Sequence, residues 1–339
     1  MKPSRPSFFV LIALVGGLAI LSSTLSKTPV LPLFADALHA TPAEIGWIVM
    51  ASTIPGILVS YPAGALSDYL GARRLLLASL AVFASAPFLY LMVHTAPQLM
   101  AVRFYHGFAT AIFGTVANAA IAERYTTDRA ARLSTYSSVT IVGRSIAPFL
   151  GGSLISLASF HAVYIACAIS GVLALAAGLL LQPQGVRRQP LAPAGAALAQ
   201  RDHKPLSTRT LDLPRFWASL TSVLRDRGIM LVSLVEAAQY LVFGAIEAFL
   251  ALFAASLGIP AWEIGVILGV QLVSIVFAKP LMGRLSDRVG RKQVIIPGLL
   301  IGAASIALLP YAPSFFGLSV LSLAFGIGFA TVTSSTSAL

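Results

Sequence analysis

Charged residues are scarce in this sequence. Asp, Glu, Lys and Arg make up 10% of its 339 residues, whereas a soluble domain carries roughly a quarter. The stretch 293–339 contains none of the four, and 57% of all residues are hydrophobic. A water-facing surface cannot be built from so few polar side chains, so the composition excludes an ordinary soluble protein.

Cysteine is nearly absent as well, and so are the residue clusters of common enzyme sites. The single Cys167 lies inside an apolar run and cannot form an internal disulfide, so it carries no information about the redox compartment. The sequence has no cluster of metal ligands, no glycine-rich loop before a lysine and no paired nucleophile and histidine. We therefore expect a protein that is not an enzyme and that needs neither a metal nor a cofactor.

Basic residues outnumber acidic ones, and the formal net charge is +11. Such an excess can indicate nucleic-acid binding, which requires a basic face with interleaved aromatic residues. Here the basic residues form short clusters between apolar runs instead. We therefore expect a lipid bilayer, and no nucleic acid, as the partner of this chain.

Apolar runs dominate the sequence. A helix needs about 20 mostly apolar residues to cross the hydrocarbon core of a bilayer. Stretches of about this length, numbered here as spans 1 to 10, lie at 8–33, 45–66, 75–93, 98–121, 132–156, 161–182, 229–255, 263–283, 293–309 and 315–339. They predict an all-α polytopic membrane protein with about ten transmembrane helices.

The basic residues fall on one side of these spans. With the N-terminus inside the cell, 19 of the 23 Lys and Arg residues lie in inside segments and none lies in an outside loop. Cytoplasmic loops carry such an excess, so we predict a multi-pass protein of the cell inner (plasma) membrane with a cytoplasmic N-terminus. The alternative is a cleaved signal peptide that comprises Lys2, Arg5 and the run from Phe8. The length of that run and its place in an internal repeat disfavour the alternative.

The chain contains an internal repeat. Shifted by 219 residues, it aligns with itself without a gap, and 14 of the 43 positions from Leu31 to Arg73 are identical to their counterparts. Secondary transporters are built from such repeats, with the substrate site between them. We therefore expect a six-helix bundle at 1–182, a cytoplasmic linker at 183–228 and the first four helices of a second bundle at 229–339. Because the halves should match, we also expect two further spans to be missing from this sequence.

The linker has two parts. Its beginning is rich in Pro, Ala and Arg, which is typical of a flexible connection. From Leu213 to Leu224 apolar residues recur at helical spacing, with Arg215 among them. That pattern predicts an amphipathic helix on the inner leaflet or, as the alternative, a helix packed against the cytoplasmic ends of the spans.

Two loops carry the same pattern of Gly, Asp and Arg at positions related by the repeat. Their residues are Gly64, Asp68, Gly71 and Arg73 in the first loop, and Gly283, Asp287, Gly290 and Arg291 in the second. The glycines permit close helix contact and a tight turn, and the Asp can accept hydrogen bonds from helix amides or pair with an Arg. The pattern predicts a cytoplasmic gating latch, and the alternative is an ordinary basic turn.

This pattern resembles the signature of the major facilitator superfamily between its spans 2 and 3 and between its spans 8 and 9. The second copy matches fully, and the first has Ala72 where a basic residue is usual. The resemblance covers the whole chain. It implies a monomer of two pseudo-symmetric six-helix bundles, with a small-molecule site near mid-membrane that opens alternately to the two sides.

Span 4 contains Arg103 and His106 within the pattern Leu-x-x-x-Arg-Phe-Tyr-His-Gly. The pattern resembles the family's span-4 motif, and the resemblance implies a role in proton coupling for this Arg. His106 replaces the usual Gln and adds a second group that can carry a proton. A buried Arg usually faces a cavity or a partner. The alternatives are a structural Arg103 and a plain hydrogen-bonded His106.

Span 5 carries small residues and a proline in a row: Gly143, Arg144, Ala147, Pro148, Gly151 and Gly152. This segment resembles the family motif that is typical of exporters, with Ala147 in place of a Gly, and the resemblance implies drug/proton antiport rather than uptake. Helix packing alone is the alternative reason for such a segment. Arg144 is unusual there, and we expect it to be either a partner for a Glu or a substrate anchor.

Span 7 carries Glu236 and Glu247. Eleven residues make nearly three helical turns, so both side chains lie on one helix face, about 16 Å apart in height. Carboxylates in a membrane cavity are natural proton carriers, and permanent salt bridges are the alternative. The repeat places Glu247 level with Thr28 and next to Lys27. We therefore predict that Lys27 and Glu247 pair near the outer end of the cavity and help to close it.

Together these features predict proton-coupled export of a small molecule, such as a drug-like compound, by alternating access. The proton-coupling candidates are Glu236, Glu247, Arg103 and His106. The candidates for lining the substrate cavity are Lys27, Asn118, Arg144, Gln239, Tyr240 and Gln271. The first alternative is a permease for an organic anion or metabolite, because the buried charge is mostly positive. A membrane sensor that does not transport is the alternative of another class.

Overall fold

The structure, a computed structural model, describes residues 7–181 and 226–336, without the side chains of 60–66, 68, 69 and 227. The described residues are helical and contain no strand. The α-helices are α1 (Phe8–Leu25), α2 (Val30–Ala37), α3 (Pro42–Ala51), α4 (Thr53–Leu70), α5 (Ala72–Leu91), α6 (Ala96–Arg124), α7 (Arg129–Leu157), α8 (Phe160–Leu179), α9 (Arg227–Ser256), α10 (Ala261–Val289), α11 (Arg291–Leu308) and α12 (Phe315–Thr336). A 3-10 helix at Leu309–Tyr311 follows α11.

The predicted spans correspond to these helices. Within the described ranges, 9 segments are long and apolar enough to cross a membrane. The predicted span 4 is the helix α6, which carries Arg103 and His106 and is not among these nine segments. Spans 1 and 2 are each interrupted, between α1 and α2 and at Ser52 between α3 and α4. The fold is therefore the predicted polytopic helical fold.

The internal repeat is present in the backbone. In the described part of the chain, four residues have positive φ: His39 (58°), Gly71 (88°), Gly258 (77°) and Gly290 (99°). They form two pairs separated by 219 residues, His39 with Gly258 and Gly71 with Gly290. The left-handed region favours glycine, and three of these four positions hold one. The same turns therefore end the corresponding helices in both halves.

Helices of the first half pack mainly on one another. α5 lies against α6 and α8, α1 lies against α7 and α8, and α4 lies against α6. In the second half, α12 packs on both α10 and α11. The contact between α7 and α10 joins the two halves. The predicted division at 1–182, 183–228 and 229–339 stays a prediction.

Three apolar clusters form the core. One includes Ile12, Leu80 and Phe113 of the first half, and a second includes Leu31, Ile48 and Tyr90. The third combines Leu33 with Leu250, Ile264 and Leu318 and so spans both halves. Other large apolar side chains face outward, for example Ile57, Leu241, Phe277 and Phe316. Outward-facing apolar side chains suit a lipid solvent.

The contacts divide the chain into two compact units, a larger one with residues 1–182 and 239–339 and a smaller one with residues 183–238. The predicted linker at 183–228 lies outside the described residues except for its last three positions. The predicted amphipathic helix lies outside them entirely. Helix α9 begins in the smaller unit and continues into the larger one. The site below belongs to the larger unit.

Candidate functional site

A polar cavity of about 270 Å³ lies in the larger unit. The first half contributes α1, α6, α7 and the break between α3 and α4, and the second half contributes α9 and α10. The lining residues are Ile20, Ser23, Thr24, Lys27, Ser52, Arg103, His106, Thr110, Arg144, Phe243, Glu247 and Leu272. Such a volume is large enough for a small organic molecule.

Glu247 forms an ion pair across the two halves. Its Oε2 lies 2.9 Å from Lys27 Nζ, and its Oε1 accepts a hydrogen bond of 2.7 Å from Thr28 Oγ1. Lys27 and Thr28 follow the C-terminal end of α1, where the chain turns before α2. The pairing that the repeat predicted is therefore formed, and its role in gating stays a prediction.

Arg103 is almost completely buried, with 3% of its surface exposed. Its Nη2 donates a hydrogen bond of 2.8 Å to Ser52 Oγ, while its Nε has no partner among the described residues. Ser52 is available for this bond because α3 ends there and α4 begins one residue later. The guanidinium therefore lines the cavity as a buried positive charge, and its unpartnered Nε is buried behind it.

His106 lies one turn after Arg103 on α6 and is 2% exposed. Its Nδ1 lies 3.4 Å from Tyr90 Oη, and its Nε2 has no hydrogen-bond partner among the described residues. The rings of Phe83 and Tyr90 contact the imidazole edge to face, and Tyr164 stacks on Tyr90 at 4.7 Å. These rings fix the position of the imidazole at the wall of the cavity.

Arg144 lines the same cavity from α7, and its side chain is exposed. In the larger unit, as far as it is described, Arg144 makes no ion pair or hydrogen bond. Pro148 follows four residues later and has no N–H, so it cannot donate to the carbonyl of Arg144 in the helix. Arg144 is the most weakly restrained charged group in the cavity.

The counterpart of this polar cluster in the second half is uncharged. The repeat relates Arg103 to Ser322 and Ser52 to Gln271. Gln271 and Ser322 line a separate small cavity, where Gln271 Oε1 and Ser322 Oγ are buried without hydrogen-bond partners in the described structure. All cationic groups that line the main cavity therefore belong to the first half.

Five predicted site residues therefore meet in one cavity, namely Lys27, Arg103, His106, Arg144 and Glu247. The other candidates are placed differently. Asn118 is exposed and Gln239 is half-buried, Tyr240 packs its ring on Phe329, and Gln271 lies in the small second cavity. Glu236 belongs to the smaller unit, and its role as a proton carrier stays a prediction.

Sequence reasoning missed several polar residues of the cavity. Ser23, Thr24, Ser52 and Thr110 line it, and so does the ring of Phe243. Hydroxyl residues occur throughout these spans, so their type alone does not distinguish a lining position. The hydrogen bond between Arg103 and Ser52 joins residues 51 positions apart. No local pattern signals such a bond.

The glycine-rich segment of α7 forms the contact between the halves. A Cβ atom on Gly152 would meet the carbonyl oxygen of Ala261 and lie 2.9 Å from Gly265 Cα. The backbone N–H of Trp262, at the start of α10, donates to Ser156 Oγ at 2.9 Å. On the opposite side, a Cβ atom on Gly143 would lie 3.0 Å from the carbonyl oxygen of Gly17. Ala147 and Pro148 are buried, and Gly151 faces Val30.

The two Gly-Asp-Arg loops are turns with positive φ at Gly71 and Gly290, as predicted. Among the described residues, no atom lies within 4 Å of a Cβ built at Gly283, so they show no close helix contact there. Asp287 is exposed and has no amide or arginine partner among the described residues, and Arg291 is half-buried. The side chains at positions 64 and 68 lie outside the described residues, so the predicted latch at Asp68 stays a prediction.

Arg73 has a partner that the sequence did not predict. Its Nε donates to the carbonyl oxygen of Leu181 at 2.6 Å, and its Nη2 donates to that of Leu179 at 3.2 Å. These carbonyls lie at the C-terminal end of α8, where a helix favours positive charge. Arg73 therefore caps α8 and ties it to the start of α5.

In the described residues, no group of three or more His, Cys, Asp or Glu side chains could hold a metal ion. The cavity itself offers an ion pair, two further guanidinium groups and several hydroxyl groups.

Several proteins of known name are similar to this chain. An uncharacterised MFS-type transporter of Methanocaldococcus jannaschii is 22% identical over 312 residues, which is 92% of this chain and 76% of the relative. The multidrug transporter MdfA of Yersinia pestis is 22% identical over 300 residues, covering 85% of this chain and 69% of the relative. The multidrug resistance protein MdtM of Salmonella typhimurium is 28% identical over 205 residues, covering 56% of this chain and 49% of the relative.

Solved structures share the fold. A mutant form of the nucleoside transporter NupG superposes with a TM-score of 0.75 at 15% identity, covering 98% of this chain and 82% of that one. A bacterial homologue of the human lysosomal transporter Spinster gives 0.74 at 16% identity, covering 99% of this chain and 75% of that one. The profile of the Major Facilitator Superfamily matches residues 12–339. With the helices, the repeat and the cavity between its halves, this match shows that the chain belongs to the major facilitator superfamily of membrane transporters.

Proposed function

We propose that this transporter exports a small molecule from the cell in exchange for protons, by alternating access across the inner membrane. One observation carries the proposal. Glu247 is the carboxylate that lines the cavity, and it is paired with Lys27 of the opposite half. A proton on Glu247 would cancel this ion pair, so its protonation and the contact between the halves are linked.

The proposed cycle follows from that linkage. A proton from outside neutralises Glu247, which weakens its attraction to Lys27 and favours separation of the two halves at that end. Loss of the proton to the cytoplasm restores the carboxylate and the ion pair. The side chain of Lys27 is 35% exposed and that of Glu247 is 17% exposed, so solvent screens the pair. Its loss on protonation shifts the balance between two arrangements by about 1 kcal/mol.

The relatives support small-molecule export. Two of them are named a multidrug transporter and a multidrug resistance protein. The glycine-rich segment of α7 that resembles the exporter motif joins the halves at Gly152 and Gly265. At this contact no side chain separates the two helix backbones. Such a contact can serve as the hinge about which two bundles rock.

Transport into inverted membrane vesicles tests the proposal. The full-length protein is reconstituted, and uptake of radiolabelled chloramphenicol, ethidium and naphthalene-2-carboxylate is measured with and without an acidic vesicle interior. We expect an acidic interior to drive accumulation of at least one probe. Glu247→Gln should abolish the response to the pH gradient, because a neutral amide cannot release a proton.

The matched control is Glu263→Gln, which removes a carboxylate at the start of α10, outside the residues that line the cavity. We expect its response to the gradient to equal that of the unaltered protein. Transport that proceeds at the same rate with and without the gradient would remove the proton mechanism.

A further inference from the structure

The charges that line the cavity do not balance. Lys27 and Glu247 cancel each other, and both oxygens of Glu247 are occupied, one by Lys27 and one by Thr28. Arg103 and Arg144 add two further positive charges to the lining, with no carboxylate partner in the described part of the larger unit. The cavity therefore carries an excess of positive charge.

Arg144 is the group that most clearly lacks a partner. The sequence left two roles for it, a partner for a Glu or a substrate anchor. Glu247 is the carboxylate of this cavity, and each of its oxygens already accepts a hydrogen bond from a residue of the α1–α2 turn, whereas Arg144 makes none to it. A guanidinium at membrane depth is costly unless an anion or water satisfies it, so the substrate-anchor role is the one that the geometry favours.

The lining also has an apolar side. Every cationic group comes from the first half, in the α1–α2 turn and on α6 and α7, whereas α9 and α10 contribute Phe243 and Leu272 besides Glu247. Ile20 of α1 adds a further apolar surface. A molecule in this cavity therefore meets positive charge on one wall and an aromatic ring with aliphatic groups on the other.

We propose that the substrate is an amphipathic organic anion. Arg144, assisted by the positive charge of Arg103, binds its carboxylate, sulfonate or phosphate group, and Phe243 and Leu272 contact its apolar body. A guanidinium binds such groups through two parallel N–H donors. The physiological role of this binding rests on the proposed transport function. The binding of the anion itself requires only the cavity.

Binding to the purified full-length protein tests the inference. The probes are naphthalene-2-carboxylate, the neutral naphthalene-2-carboxamide and the cationic 2-naphthylmethylammonium, compared by isothermal titration calorimetry without any gradient. We expect the carboxylate to bind roughly 10-fold or more tightly than the amide, the range expected for a charge-assisted interaction in place of a neutral one. The ammonium compound should bind most weakly.

Variants identify the anchor. Arg144→Gln should weaken binding of the carboxylate about 10-fold while leaving that of the amide unchanged. Arg144→Lys keeps the charge but loses the planar pair of donors, so its affinity for the carboxylate should be intermediate. Arg129→Gln removes a positive charge from the first turn of the same helix and should change neither affinity. Thermal unfolding identifies variants that are unfolded, and Arg144→Lys then carries the test.

Equal binding of the carboxylate and the amide would overturn the inference, and so would a carboxylate affinity that neither Arg144→Gln nor Arg144→Lys alters. The two proposals fail separately. Gradient-driven ethidium transport without anion binding would refute the anionic substrate alone. Selective carboxylate binding without any response to the gradient would refute proton coupling alone.

Discussion

Arg103 and Ser52 show how single residues distinguish two halves that share one backbone plan. Their counterparts after the 219-residue repeat are Ser322 and Gln271, which carry no charge. The hydrogen bond of 2.8 Å in the first half has no equivalent in the second, where Gln271 Oε1 and Ser322 Oγ lack partners in the described structure. A few substitutions in one copy of the repeat therefore account for the polarity of the cavity.

Arg73 provides a prediction at the same scale. Arg73→Gln should lower the free energy of unfolding by about 1 to 2 kcal/mol, because two hydrogen bonds from a charged donor to the end of α8 are lost. Thermal and denaturant unfolding in detergent measure the change. The neighbouring Arg74 is exposed, so Arg74→Gln serves as the control and should leave the stability unaltered. Equal effects of the two substitutions would contradict a specific cap by Arg73.

At the scale of helices, the contact between α7 and α10 depends on the absence of side chains. Gly152 and Gly265 face each other so closely that a Cβ atom on Gly265 would meet the carbonyl oxygen of Pro148. Small residues let helix backbones approach in a membrane, where packing and hydrogen bonds replace the hydrophobic effect as the driving force. This contact positions the walls of the cavity that the two helices provide through Arg144 and Leu272.

Gly152→Ala tests that contact. An added methyl group there forces the helices apart, which costs about 1 to 3 kcal/mol, and the gain in helix propensity offsets about 1 kcal/mol of it. We expect a lower melting temperature and slower transport. In the control Gly114→Ala, no atom of the described residues lies within 4 Å of the new Cβ, so its melting temperature should stay the same or rise. A stable, fully active Gly152→Ala protein would show that the halves do not rely on this approach.

At the scale of the whole molecule, the basic residues predict how the chain is oriented in the membrane. The predicted inside turn 125–128 lies between Arg124 and Arg129, whereas the predicted outside turn 257–260 has no basic residue beside it. Cytoplasmic loops carry such an excess of Lys and Arg. Because 19 of the 23 basic residues lie on one side of the spans, we predict that this side faces the cytoplasm.

Labelling of single cysteines tests this orientation. In a Cys167→Ala background, Thr127→Cys and Leu257→Cys each place one thiol in an exposed turn. A membrane-impermeant maleimide should label the thiol at 257 in intact cells and the thiol at 127 only after permeabilisation, since basic turns stay inside. Labelling of both positions in intact cells would refute the topology, and labelling of 127 alone would reverse it.

Much of the fold could be predicted because it follows from local composition and from the repeat. Apolar length located the spans, and the offset of 219 residues brought Glu247 level with Thr28, beside Lys27, before any contact was known. The carboxylate of Glu247 does contact both residues. Span length and the alignment of the repeat depend only on the order of residues along the chain, and the sequence alone determined them.

The tertiary structure decided which polar residues share a cavity. Gln271 was predicted to join Arg103 there, yet it lies in the separate cavity of the second half, while Ser52 and Thr110 line the main one. Arg73 caps α8, a contact that the sequence did not predict. These outcomes depend on how each helix is rotated and where it crosses its neighbours. Packing among segments that are distant in the sequence sets the rotation and the crossing point of each helix. The residue pattern within one span therefore does not predict them.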